Sequence, residues 1–140
     1  MVFGHGRVTG RSSAMSRLIS AAAVGEAFEC EVAAAQVSPV IHANDVAEIM
    51  VRICFAQDLQ LPVYSGLNKP ASVRDAVDAV RRYLPDADIR FADDALSYPT
   101  IKHVDCSRLE QAIDYKLPLY EKSVLDYINE ARAERQLTAL

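Results

Sequence analysis

Apolar residues in this chain recur at two spacings, and the spacing changes repeatedly along its 140 residues. Met15, Leu18, Ile19, Ala22 and Ala23 follow the i, i+3, i+4, i+7, i+8 pattern that lines one face of a helix. Phe28-Glu29-Cys30-Glu31-Val32 then alternates apolar and polar, as a half-buried strand does. Further on, Val73, Ala76, Val77 and Val80 return to the helical period. A chain that keeps exchanging a period of 3.6 for a period of 2 is a mixed α/β chain with short strands.

Punctuating residues locate the elements. Gly4, Gly6 and Gly10 mark an opening loop. Ser12 or Ser13 is expected to cap a helix to about Val24, with Gly25 as its C-terminal cap. Val37–Ile41 reads as a second short strand, and Pro39 argues against a central ladder position for it. Asn44 or Asp45 is expected to cap the next helix, whose buried stripe is Val46, Ile49, Met50, Ile53 and Cys54. Leu61–Ser65 is read as a strand ending at Gly66. Ser72-Val73-Arg74-Asp75 has the form of a capping box with Asp at the last position, and Pro85 ends the helix it starts. Ala87–Phe91 is read as a strand, Ser107-Arg108-Leu109-Glu110 as a second capping box. Pro118 precedes a last helix with Val124, Leu125, Ile128 and Ala131 inward. The expected order is loop, α, β, β, α, β, α, β, α, α, within a single domain spanning residues 1–140.

Composition narrows the functional classes. The net charge is −4, and Arg81-Arg82 is the only adjacent basic pair, so the clustered positive footprint of a nucleic-acid binder is missing. No apolar run reaches the ~18–20 residues that span a bilayer, and the polar Gly4–Ser13 stretch is unlike a signal peptide. A cytoplasmic protein without nucleic-acid or membrane partners is expected. Cys30, Cys54 and Cys106 are widely spaced and form no C-x-x-C pair, which suggests reduced thiols rather than zinc or a redox dithiol. Cys54 is expected in the core.

Several segments carry chemistry in their order. Val2-Phe3-Gly4-His5-Gly6-Arg7-Val8-Thr9-Gly10 is followed by Ile41-His42-Ala43-Asn44-Asp45-Val46-Ala47. Tyr64-Ser65-Gly66, Pro70-Ala71-Ser72-Val73-Arg74, Leu84-Pro85-Asp86-Ala87-Asp88-Ile89 and Asp105-Cys106-Ser107-Arg108-Leu109 come after. Taken together they resemble the C-terminal, substrate-binding part of extended short-chain dehydrogenases/reductases, the NAD(P)-dependent epimerase/dehydratase family. The first segment is similar to the family's Tyr-Gly-Pro-Gly-Arg loop, with Phe3 and His5 substituted. The second is similar to its His-Val-Asp-Asp-Val-Ala signature.

The resemblance implies NAD(P)-linked oxidation, epimerisation or dehydration of a sugar-like or hydroxylated substrate. The family's Gly-rich cofactor loop and catalytic Tyr-Lys helix lie upstream of the matched segments. Gly4–Gly10 does not replace the former, because its spacing is G-x-G-x-x-x-G rather than G-x-G-x-x-G between a strand and a helix. No catalytic, cofactor or metal residue is therefore expected in this chain. NAD or NADP enters only with a Rossmann half supplied in cis or in trans, and whether the chain is an enzyme by itself is left open.

The resemblance places substrate contacts at Arg7, Thr9, Arg11, His42 and Arg108. The arginines suit substrate anions, since a guanidinium offers a bidentate fork to phosphate or carboxylate. Each has a plainer reading. Arg7 is equally a solvated loop residue, His42 is mostly architectural, and Arg108 suits a pair with Asp105 or Glu110. Two departures matter. Ser38 stands where nucleotide-sugar members carry an Arg, which weakens a UDP- or dTDP-sugar substrate, and Asp114 replaces a Gly, which puts that turn in question. Tyr98-Pro99-Thr100-Ile101-Lys102 spells the family's Tyr-x-x-x-Lys pattern in the wrong place and is read as coincidence. A detached half is also expected to self-associate through an exposed apolar face. The alternative is a non-catalytic binding or regulatory module that associates with a Rossmann partner.

Overall fold

The computed structural model describes residues 1–66 and 68–140, and Arg11 by its backbone alone. Strand β1 is Val2–Phe3. A 3-10 turn at Arg11–Ser13 leads into helix α1, Ala14–Ala23. Strands β2, Phe28–Val32, and β3, Val37–His42, precede helix α2, Ala43–Phe55. Then come β4, Lys69–Ser72, α3, Val73–Tyr83, and β5, Ile89–Leu96. Helices α4, Ser107–Ile113, and α5, Tyr120–Glu134, complete the described elements. The mixed α/β reading holds.

The strands form two small sheets. One has the order β1-β3-β4, with β1 parallel and β4 antiparallel to β3; the other pairs β2 with β5 in parallel. In β3, Val40 belongs to the large core cluster and its neighbour Ile41 to a second one. Successive strand residues face opposite sides, so both faces of this sheet are covered. Leu18, Ile19, Val77, Tyr127 and Ile128 of α1, α3 and α5 fill the first side, all essentially buried. Ile49, Leu109 and Ile113 of α2 and α4 fill the second. Each such side chain stabilises the fold by about 1.5–3 kcal/mol.

The helix stripes read from α1 and α3 are buried as expected. Gly25 closes α1 at φ 76°, with Glu26 N–H donating to the Ala21 carbonyl at 2.9 Å and Gly25 N–H to Ala22 at 3.1 Å. Ser72 and Asp75 form the reciprocal capping box: Asp75 N–H donates to Ser72 Oγ at 3.1 Å and Ser72 N–H to Asp75 Oδ2 at 2.7 Å. In α5, Val124, Ile128 and Ala131 are buried, while Leu125 is half-buried. Asp114 ends α4 in the left-handed conformation, φ 45°, that glycine takes without cost.

Five expectations need correction. Pro39 lies in the central strand. It faces Pro70 across the antiparallel pair, and Val73 N–H bonds to the Gln36 carbonyl. That register makes Pro39–Pro70 a pair without ladder bonds, so neither proline removes one. Leu61–Ser65 is irregular, not a strand. The Tyr64 hydroxyl accepts the backbone N–H groups of Gln60 and Leu61 at 3.0 and 3.1 Å and closes the chain on itself. The strand in this region is β4 instead.

The expected caps at Ser13, at Asn44 or Asp45, and at Ser107 are not made by those side chains. Ser13 Oγ donates to the Gly10 carbonyl at 2.6 Å. His42 holds the cap position of α2 without a side-chain bond, and Asp45 accepts the Tyr115 hydroxyl at 2.7 Å. Ser107 lies inside α4, its N–H held by Asp105 at 3.0 Å. The stripe on α2 is narrower than read, with Met50 62% exposed and Cys54 also exposed. Ile49 is buried, and Val46 and Ile53 are half-buried against the second cluster. Finally, β5 runs on through Ala92-Asp93-Asp94-Ala95-Leu96 because pairing with β2, across an irregularity after Cys30, overrides weak strand propensity.

Candidate functional site

The loop from Gly4 to Ser13 is the sequence feature around which cavities gather. It leaves β1 at Gly4, whose φ of 151° and close packing on Ala43 leave no room for a side chain. Gly4 N–H donates to Ser16 Oγ at 3.3 Å, tying the loop to α1. Arg7 Nη2 donates to Ser12 Oγ at 2.6 Å, and Ser13 N–H to the Gly10 carbonyl at 3.0 Å.

At the far end of this loop lies a cavity of about 260 Å³. Gly10 and Ala14 form one wall, Glu31 and Val32 of β2 another, and Leu96, Ser97 and Tyr98 a third. Arg17 of α1 reaches its rim, with its guanidinium 5.5 Å from the centre of the Phe28 ring. Gln36, buried at 7% exposure, fixes the third wall, because its Oε1 accepts the Tyr98 N–H at 2.8 Å. Behind the cavity is the fully buried Cys30. Burial pushes its thiol pKa up; its bond to the Val32 carbonyl and the charge of Arg17 draw it down, and Glu31 raises it.

On the other side of Arg17 is a more open hollow of about 380 Å³, bounded by His5, Glu26 and Glu134. His5 Nε2 lies 2.6 Å from Glu134 Oε1. One turn earlier on α5, Glu130 approaches His42 at 3.7 Å and accepts from Asn44. His42 is 3% exposed, edge-on to Phe3 at 5.2 Å and tilted against Tyr127 at 6.1 Å. Its Nε2 is buried without a hydrogen-bond partner among the described residues.

The structure gathers only part of the expected site. Arg7 and Thr9 are exposed on the loop, and the side chain of Arg11 lies outside the described residues. His42 is beneath the loop, packed between β1 and α5 rather than lining either cavity. Arg108 is exposed on α4, across the sheet from the loop cavity, and makes no ion pair with Asp105 or Glu110 within 4 Å among the described residues. The Asp105 carboxyl is held below its usual range, first by the Ser107 N–H and more weakly by His103 and Arg108. Tyr98 and Lys102 lie in irregular chain, so they do not share a helix face. Arg17, Glu31, Gln36 and Tyr98 were missed by sequence reasoning. One signal was available, since Arg17 is the only charged residue of α1.

The glycine loop lacks the spacing of a dinucleotide fingerprint and passes into a 3-10 turn whose Ser13 hydroxyl is committed to Gly10. No chemical step is assigned through such a cofactor here. No group of three or more metal-ligating side chains occurs among the described residues. No helix among them is long and apolar enough to cross a membrane.

No known family model matches this chain, and no curated protein matches it in sequence. Solved structures do match in fold. An L-threonine dehydrogenase from Phytophthora infestans superposes with a TM-score of 0.79 at 12% identity, covering 95% of this chain and 46% of that one. A GalE-like L-threonine dehydrogenase from Cupriavidus necator, in its holo form, gives 0.73 at 17% identity, with 92% and 45% covered. A UDP-glucuronic acid 4-epimerase from Bacillus cereus, in complex with UDP-glucuronic acid and NAD, gives 0.72 at 13%, with 96% and 43% covered. The chain therefore has the fold of part of an extended short-chain dehydrogenase/reductase, and spans less than half the length of these structures.

Proposed function

We propose that this chain is the substrate-binding portion of an NAD(P)-dependent epimerase, dehydratase or dehydrogenase acting on a sugar-like or hydroxylated substrate. Residues 1–140 serve as one unit, silent in catalysis until a Rossmann half is supplied in cis or in trans. The observation that carries this reading is the edge of the β1-β3-β4 sheet. A two-residue strand, β1, ends the sheet and is paired in parallel on its inner side only. Parallel strands belong to sheets covered on both faces and extended by crossover units.

Beside that edge runs an apolar groove of about 450 Å³ with Val2, Ile41, Val46 and Ile49 in its walls. Further along α2, Met50, Val51 and Phe55 are 62, 53 and 77% exposed. A second α/β half would extend the sheet and cover this face. Without it, copies of the chain are expected to associate through the same surface.

Arg7 and Thr9, exposed on the loop, are the residues assigned to substrate, with Arg11 beside them in sequence. His42 supports the loop from below, and Arg108, exposed on α4, is assigned to substrate on the family resemblance alone. The solved relatives support both substrate classes, one naming a sugar nucleotide and several naming L-threonine. The test is NADH binding, followed by cofactor fluorescence, to the chain alone and then with a separately produced Rossmann half. No binding alone and binding with the half are expected. Micromolar affinity of the isolated chain for NADH would overturn the proposal.

A further inference from the structure

We propose that two copies of this chain pair through β1 around a two-fold axis, exchanging the N–H and C=O of Val2 and laying one α2 beside the other. This rests on reading the β1 edge as a docking surface. It names a second occupant of that edge, one that the Rossmann half would displace.

The backbone of β1 sets the pairing. Ile41 N–H donates to the Met1 carbonyl at 3.0 Å, so that carbonyl points inward to β3. Across a trans peptide the next N–H points the opposite way. Val2 N–H therefore faces outward, and in an extended residue the carbonyl lies on the same side. No strand covers this side of β1 among the described residues. A residue with both groups free is complementary to a copy of itself. Set antiparallel about a two-fold axis, the Val2 residues of two copies exchange both hydrogen bonds, and the two β1-β3-β4 sheets become one.

The flank of α2 fits the same axis. Ala43, Ala47 and Met50 recur at i, i+4 and i+7, the heptad spacing that lines up one stripe. Ala43 packs on Gly4 at the end of β1, which sets this stripe on the β1 side. The opposite flank is already taken: Arg52 donates to the carbonyls of Ile113 and Asp114 at 3.5 and 3.4 Å, and Asp45 accepts the Tyr115 hydroxyl. Ala47 and Met50 are exposed. A two-fold axis perpendicular to the sheet keeps both α2 helices on one face, side by side. The alanines let them come close, and the flexible Met50 fills the space that remains. Phe55 lies roughly 100° round the helix from this stripe and stays outside the seam.

Sedimentation equilibrium of the whole chain over about 10–500 μM tests this, with a dimer constant on the order of 10–100 μM expected for so narrow a seam. Val2→Pro removes the outward donor but no bond to β3, and should weaken the dimer about tenfold. Met50→Glu buries a carboxylate in the seam and should weaken it about tenfold or more, while Phe55→Ser should leave it within about twofold. All three side chains are exposed, so far-UV circular dichroism should not change. In NMR spectra the Val2 amide should shift as the concentration rises. A chain that stays monomeric at the top of the range, assembly beyond a dimer, a loss in Phe55→Ser as large as in Met50→Glu, or a Val2 amide indifferent to concentration would each overturn the proposal. Added Rossmann half should convert the dimer into a one-to-one complex, and a half bound to an intact dimer would refute the shared edge. A half that does not bind at all would sink the functional reading and leave the dimer standing.

Discussion

Replacing Gly4 by Ala tests how the loop is launched from the sheet. Gly4 has φ 151°, a region that costs a residue with a side chain about 1–3 kcal/mol. A Cβ there would lie 2.9 Å from Ala43 Cβ, closer than carbon atoms pack. Ala43 opens α2, so relief requires the helix start to move, which costs about 1–3 kcal/mol more. The sum is about 4 kcal/mol, or roughly 12 °C in midpoint at ~3 °C per kcal/mol for a chain of this size. Ala43→Gly alone costs about 1 kcal/mol. In the double variant the carbon–carbon conflict disappears and the backbone cost remains. The two changes should therefore couple by about 1–3 kcal/mol in favour of the pair. Urea unfolding followed by far-UV circular dichroism measures all four states. Additivity within ~0.5 kcal/mol would refute the argument that Gly4 is required by its contact with Ala43.

Other outcomes follow from the same geometry. Ser72→Ala removes one arm of the capping box at α3 and should cost about 1 kcal/mol in urea unfolding, while Ser107→Ala, which removes no cap, should cost less. Tyr115→Phe strands the buried Asp45 carboxylate and should cost about 1–3 kcal/mol. The Tyr115 hydroxyl itself is pushed up to about 12, first by burial and then by its bond to Asp45. Its folded pKa is raised, so its contribution to stability is complete below pH ~10 and declines as pH rises from there towards 12. Absorbance titration at the phenolate band should show this residue ionising late, in company with Tyr120 and Tyr127, whose hydroxyls burial also raises. A disulfide-exchange reagent should label exposed Cys54 at once and buried Cys30 only on unfolding, and rapid labelling of Cys30 in the native state would contradict the packing of β2.

Periodicity made the helices legible because burial on a single face leaves a trace in the spacing of side chains. The stripes of α1 and α3 could be read from Met15 to Ala23 and from Val73 to Val80. Ser72-x-x-Asp75 and Gly25 could be read for the same reason, since each satisfies backbone groups of its own helix end. The glycine loop was equally visible, as was the likeness to half of a larger fold. These are local relations, complete within a few residues.

What remained hidden depends on residues distant in sequence. Pro39 looks unsuited to a central strand until register sets it opposite Pro70, where no ladder bond is needed. Met50 and Cys54 look buried until the rest of the molecule fails to reach them. Leu61–Ser65 looks like a strand until a tyrosine hydroxyl takes its backbone donors. Arg17 and Glu31 are ordinary charges on separate elements, 14 positions apart, and only the packing of α1 on β2 brings them to one cavity. The amino-acid sequence determined which segments fold into helices and where most of them stop, because those choices are made by neighbouring residues. Tertiary structure decided which faces are covered and which charges share a space, because burial and Coulomb energy depend on distance through space rather than along the chain.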